Sequence, residues 1–429
     1  MTWRASVVFA AAVAGACSDR GAGFDSPASA GSAGVGMPIG GSGGASSAQG
    51  GAAGNAGATV GGGGASAGQP ASVSDCKPEQ PQSLFCNPLQ PMPKTLKETG
   101  LFPAAPSFDE HPASLRAFTP FPALWSDGMH KQRYLLLPPG QKIDNSNPTS
   151  WVFPVGTVLV KNFLDDGGPG GAQRIVETRV IRRVGDATAF TEYDYYLYRW
   201  NPEGTDAELL VDDRNGDSSA SVNVPITINH LADGAPLVIN EGKPFDHALP
   251  SRDMCSDCHH ENGNTYQTFV GFDEIRLNTK LSASDTMTQL ERFLADGVFM
   301  YAPTAPPRAI VETDPKLLSV EQFVLGNCVH CHNEKGKVFD LAPEVFVQNT
   351  VGQKTNAQSV EPPAGWLRVF PGEPEKSVVF VQARRSPLPE PTLEGGDRLR
   401  PMPPMGVNDL APDPNGIAAL KDWITSLQP

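Results

Sequence analysis

Two five-residue stretches carry the clearest chemistry in this chain, Cys255-Ser-Asp-Cys-His259 and Cys328-Val-His-Cys-His332. Each reads Cys-x-x-Cys-His, the spacing that attaches a c-type haem. Two cysteines three positions apart on a helical turn can each add a thiolate to one vinyl group of the same porphyrin. The histidine that follows then lies under the ring and coordinates the iron as proximal ligand. Cys255, Cys258, Cys328 and Cys331 are therefore the expected attachment points of two covalent haems, with His259 and His332 as proximal ligands. A redox dithiol or a four-cysteine zinc site would use the same cysteine spacing. Neither explains why a histidine follows the second cysteine both times.

The sixth ligand of the second haem is expected downstream, in Arg400-Pro-Met402-Pro-Pro-Met405-Gly. Flanking prolines stiffen such a loop and present a thioether to iron, so Met402 is the expected ligand and Met405 the fallback. His/Met ligation raises the reduction potential and favours electron transfer. For the first haem Met300 is the leading candidate, with His230, His247 and an open, five-coordinate iron as alternatives. His260 adjoins the proximal ligand and cannot readily reach the opposite face of the same ring.

Helices are needed to present these groups. Ser282 to Phe299 reads as one, with Ser284 as N-cap and Gly297 as terminator. A second, capped by Ser319 and carrying Val320, Phe323 and Val324, runs through Gly326 into the second motif. Asp413-Pro414 opens a third, with Ile417, Leu420, Ile424 and Leu427 on one face and Trp423 beside it. In a cytochrome c arrangement this last helix crosses the haem-bearing one, and Gly326 would allow the close approach. Ahead of these lies a β-rich region. Trp151 to Phe163, Ile175 to Arg183, Thr191 to Trp200, Glu208 to Val211 and Val222 to Ile228 are expected strands, split by turn-like sequence at 165–171 and 213–217. Their spacing predicts an antiparallel sandwich or barrel. Trp125-Ser-Asp-Gly128, Tyr193 to Tyr198, Glu177 and Arg179 stand out there. Aromatic stripes on strands are usually core and strand charges are usually solvated, so none is expected to form a catalytic site.

The chain opens Met1-Thr-Trp-Arg4, then Ala5 to Ala16, then Cys17, the pattern of a signal peptide ending in a lipobox-like Ala-Gly-Ala-Cys. Cys17 is expected to carry lipid, and Ser18 after it resembles outer-membrane sorting. Residues 18–74, mostly Gly, Ala and Ser, are expected to be a flexible tether. Cys76 and Cys86 are expected to pair in an oxidising compartment. The formal charge of −14 argues against a nucleic-acid partner. The domains expected are 1–17 signal peptide, 18–74 tether, 75–250 β-rich domain, 251–316 first haem region and 317–429 second haem domain.

Phe323-Val-Leu-Gly-Asn-Cys-Val-His-Cys-His-Asn333, Pro371-Gly-Glu-Pro-Glu-Lys-Ser377, Met402-Pro-Pro and Trp423-Ile-Thr-Ser-Leu427 resemble, in that order, the landmarks of bacterial cytochrome c modules. Leu124-Trp-Ser-Asp-Gly128, Leu137-Pro-Pro-Gly140 and Phe153 to Lys161 are similar to a family of poorly characterised proteobacterial dihaem c-type cytochromes. The resemblance covers residues 95–429 and implies a β-rich half followed by two haem sites, with no substrate.

The function expected is that of an exported, lipid-anchored dihaem cytochrome, transferring electrons to a redox partner protein in the bacterial envelope, with the outer membrane favoured. One alternative is a dihaem peroxidase-type enzyme with one open haem. Its motifs would usually be spaced more widely than the 73 positions separating Cys255 from Cys328. The other is a β-domain oxidoreductase that feeds electrons to the haems.

Overall fold

The computed structural model describes residues 83–102, 111–185, 192–213, 222–231, 236–237, 239–259, 269–334, 339–355, 362–384, 402–403 and 412–428, which fall in one compact unit. The expectations for Cys17, the tether, Cys76, His260 and Met405 lie outside them. Cys86 is disulfide-bonded.

Six strands form one antiparallel sheet: β1 (Leu115–Phe118), β2 (His130–Leu136), β3 (Val158–Asp165), β4 (Arg174–Arg183), β5 (Tyr193–Trp200) and β6 (Ala207–Asp212). The spatial order follows the sequence order, so each strand pairs with the next. Strands β7 (Val222–Ile226) and β8 (Phe245–Leu249) make a separate two-stranded sheet. The expectation of a barrel is not met, because the large sheet stays open. Its β6 edge is already occupied: Leu96 N donates to Ala207 O and Leu209 N to Lys94 O, at 2.9 and 2.8 Å.

The expected strand from Trp151 is interrupted and β3 starts only at Val158. Gly156 takes φ +91° and the Thr157 hydroxyl donates to Pro154 O, closing a turn where a run of strand was expected. β2 and β8 escaped the pattern for local reasons. β2 begins with four polar residues, His130-Lys-Gln-Arg133, and β8 lies between Pro244 and Pro250.

Both faces of the sheet are covered. On one, Tyr134, Val160, Val180 and Tyr196 pack against Leu84, Leu96 and Leu101. On the other, Leu135, Leu159, Tyr193 and Tyr195 pack against Phe269, Phe272, Leu290 and Phe293. Polar strand residues are consequently trapped inside: Glu177 and Arg182 are fully buried.

Helices follow the sheets along the chain: α1 (Arg252–His259), α2 (Glu274–Leu277), α3 (Gln289–Ala295), α4 (Pro315–Asn327), α5 (Phe346–Thr350), α6 (Val378–Ala383) and α7 (Pro414–Ser426). α3 is shorter than expected. Thr288, not Ser284, caps it in a reciprocal capping box with Glu291, and Gly297 beyond it adopts φ +69°. α4 starts a turn before Ser319, at Asp314-Pro315, where the Asp314 carboxylate accepts from Lys316 N. Ser319 lies inside the helix and its hydroxyl donates to Pro315 O.

α7 opens at Asp413-Pro414 as expected and packs Leu420, Trp423 and Ile424 with Val320, Phe323 and Val324 of α4. The glycine that permits this contact is Gly416, where a Cβ would overlap the Phe323 ring. Gly326 instead admits the segment Pro122–Ala123, since a Cβ there would sit 2.9 Å from Ala123 O. Among the described residues no helix is long and apolar enough to cross a membrane.

Candidate functional site

The first motif lies on α1, which packs on β5. The Tyr195 hydroxyl donates to His259 O at 2.8 Å, and Arg252 at the start of α1 donates to Asp213 at 2.9 Å. Together they hold the helix on the sheet. Cys255, Cys258 and His259 line one side of a cavity of about 1130 Å³, counted out to its mouth.

The sheet supplies the facing wall. Arg133 pairs across strands with Lys161, and Lys161 with Arg179, so three cations stand in a row. All three line the cavity, as do Trp125, Asp127, His247 and Pro403. Arg179 donates to Glu177 at 3.0 Å and stacks its guanidinium 4.1 Å from the Phe163 ring centre. His247 bridges two carboxylates, with Nδ1 2.8 Å from Asp127 and Nε2 3.1 Å from Glu177. Burial would discharge that imidazole, but bonds to Asp127 and Glu177 outweigh it and hold its pKa above the usual range. Strand charges expected to meet solvent are therefore part of the cavity wall. The signal was present in the cross-strand row, but only the covering helices, far along the chain, turn it inward.

The second motif follows α4 directly. Cys328 caps that helix, and the amides of Cys331 and His332 both donate to Cys328 O, so the motif winds into one further turn. The Phe339 carbonyl lies 3.2 Å from His332 Nδ1 and can only accept there, which leaves Nε2 of a neutral ring as the unprotonated nitrogen. Burial also favours that neutral form. His330, two positions earlier, is buried and its Nδ1 has no hydrogen-bond partner among the described residues. Burial, seconded by Arg276, pushes its pKa down to about 3. Sequence reasoning passed over His330 because it occupies a variable position of the motif.

The expected sixth ligands are scattered. Met300 is 49 % exposed and lines a surface groove with Lys142 and Val152, not the cavity of the first motif. His230 is bound through its backbone to Asp166 and is not among the cavity-lining residues. His247 reaches the cavity with both ring nitrogens already engaged. Met402 is half-buried and its amide donates to Gln382 O of α6 at 3.0 Å. The next residue, Pro403, borders the cavity of the first motif. This part of the Met-Pro-Pro loop thus lies between α6, which packs with α4 in the second domain, and the cavity of the first motif.

None of the four motif cysteines is in a disulfide. Burial pushes Cys255 up to about 11 and Cys328 up to about 12, the opposite of the lowered pKa that a reactive dithiol needs. Among the described residues no three His, Cys, Asp or Glu side chains converge as metal ligands, so the two pairs do not meet in one zinc site. No protein-family model, curated protein or solved structure matches this chain.

Proposed function

We propose that this chain is a dihaem c-type cytochrome, exported and lipid-anchored in the bacterial cell envelope, that passes single electrons to a redox partner. The observation that carries the reading is the cavity bounded by Cys255, Cys258 and His259, which combines attachment thiols and an axial imidazole with apolar and cationic walls. The second site supports it through His332, whose Nδ1 is held by a backbone carbonyl as iron-ligating histidines usually are. Helix α4 leading into Cys328 and crossed by α7 agrees with a cytochrome c-like second domain.

A bound haem would supply reversible one-electron chemistry at its iron. The chain's residues would do the rest. The four cysteines would hold the haems covalently, His259 and His332 would supply imidazole ligands, and Phe339 O fixes the His332 tautomer. The surrounding aromatic residues exclude water and thereby set the potential.

Pyridine haemochrome analysis of the full chain should give two haems, and fewer would defeat the proposal. Met402→Ala should abolish a Met–iron charge-transfer band from one haem. If the band persists and Met405→Ala removes it, the ligand is Met405. Pro403 on the first cavity wall adds a question of which haem responds, and separate midpoint potentials answer it.

A second reading is favoured by one observation: Met300 is absent from the first cavity, and His247 there is doubly engaged. The first iron would then be five-coordinate, as in a peroxidase-type enzyme. A high-spin ferric signal with rapid peroxide turnover would establish that reading over the carrier.

A further inference from the structure

The sheet wall opposite the first motif holds more positive charge than its neighbours neutralise. Lys131, Arg133, Lys161 and Arg179 belong to three adjacent strands. The carboxylates of that wall are already engaged: Glu177 accepts from Arg179 and His247, and Asp127 from His247. Lys131 donates to Leu124 O. Arg133 is only 8 % exposed, and its guanidinium has no hydrogen-bond or carboxylate partner among the described residues. The Lys161 ammonium has a single ring contact, 4.6 Å from the centre of Phe163. Burying unpaired cations is costly, and burial lowers the pKa of Lys161 and Arg133 accordingly. An anion beside them would offset that cost: the Arg133 fork suits a planar oxygen pair, while Arg179, whose fork is held by Glu177, adds positive charge to the same wall.

We propose that Arg133, Lys161 and Arg179 form a binding site for a carboxylate or small oxyanion, facing Cys255, Cys258 and His259 across the cavity. The anion has two sources. It is either the propionate pair of a haem attached at the first motif, which rests on the dihaem reading, or a small diffusing oxyanion, which does not.

The test uses the haem-loaded full chain and its Arg133→Gln and Lys161→Gln variants. Haem content, both midpoint potentials and thermal melting are measured, and the oxidised protein is titrated with nitrite and with formate while its Soret band is followed. If the site holds propionates, the variants keep both haems but shift the first haem's potential relative to the second, and neither anion binds. If it holds a diffusing anion, the wild type responds saturably and each variant binds about tenfold more weakly. Either result supports the site. Unchanged potentials, with an anion response that is absent or identical in wild type and variants, overturn it. A count below two haems, with an anion-dependent melting shift that the variants lose, would defeat the dihaem reading and leave the anion site standing. Should Arg133→Gln fail to fold, Lys161→Gln decides, since Lys161 gives up only a ring contact.

Discussion

Glu177 concentrates the residue-scale logic of this molecule. It is fully buried, yet Arg179 and His247 both donate to it. Burial alone would raise its pKa, but Arg179 and His247 outweigh it and bring the carboxyl down to about 2. Glu177→Gln should therefore cost about 3 kcal/mol at neutral pH, because it leaves a half-buried guanidinium and a buried imidazolium short of a counter-charge. The sign of the pH dependence follows from the lowered value. The carboxylate's contribution is complete above its ordinary 4.5 and is lost as pH falls towards 2. Urea unfolding of wild type and variant should show their difference shrinking across that window, and a difference that stays constant would contradict the assignment. Cys255, Cys258, Cys328 and Cys331 were legible from spacing alone, because covalent attachment demands a fixed separation. Glu177 and Arg179 were not. Their alternation along β4 is what a solvated strand face also shows, and burial comes from residues nearly a hundred positions later.

At the scale of elements, the α4–α7 contact depends on a missing side chain. Gly416 lies inside a helix, where alanine would ordinarily be favoured by about 1 kcal/mol. Here the added methyl would overlap Phe323, and the neighbouring residues Val320, Leu420 and Trp423 leave it little room to yield. Gly416→Ala should lower stability by about 2 kcal/mol net. A thermal melt reads this directly, and a rise in melting temperature would refute the contact. Helix α7 was readable because Asp413-Pro414 is a strong start signal followed by an apolar stripe. The strand at His130 was hidden by consecutive polar residues. The true start of α3 was hidden by two serines before Thr288: Ser282 turns back onto Asp285 and Ser284 pairs with the Ser282 hydroxyl, so neither caps the helix.

At the scale of the whole molecule, the segment between β1 and β2 joins the sheet to the helices. Thr119 exchanges two hydrogen bonds with Gln289 of α3, Phe121 N donates to Arg276 O of α2, and Trp125 N donates to Asn327 at the end of α4. Pairs 170 and 202 positions apart in sequence are thus in contact, which no local pattern could have announced. Asn327 adjoins Cys328, and its partner Trp125 lines the cavity of the first motif. Asn327→Ala, which orphans the Trp125 amide, should cost about 1–3 kcal/mol. On the dihaem reading it should also perturb the spectra of both haems, although Asn327 borders only the second. Urea titration followed by absorbance measures both effects, and a change confined to one haem would argue against this link.

The hairpin-by-hairpin order of β1 to β6 also carries information about time. A sheet whose strands pair only with sequence neighbours forms from local contacts and waits for nothing downstream. Even its β6 edge is covered by Lys94 to Leu96, which precede it in the chain. The spacing of Arg133, Lys161 and Arg179 is thus set by the pairing of neighbouring strands and takes no register from α1. On the dihaem reading, a haem carried by α1 would meet a charged surface whose geometry the sheet alone determines, and that surface would select the orientation in which the ring settles.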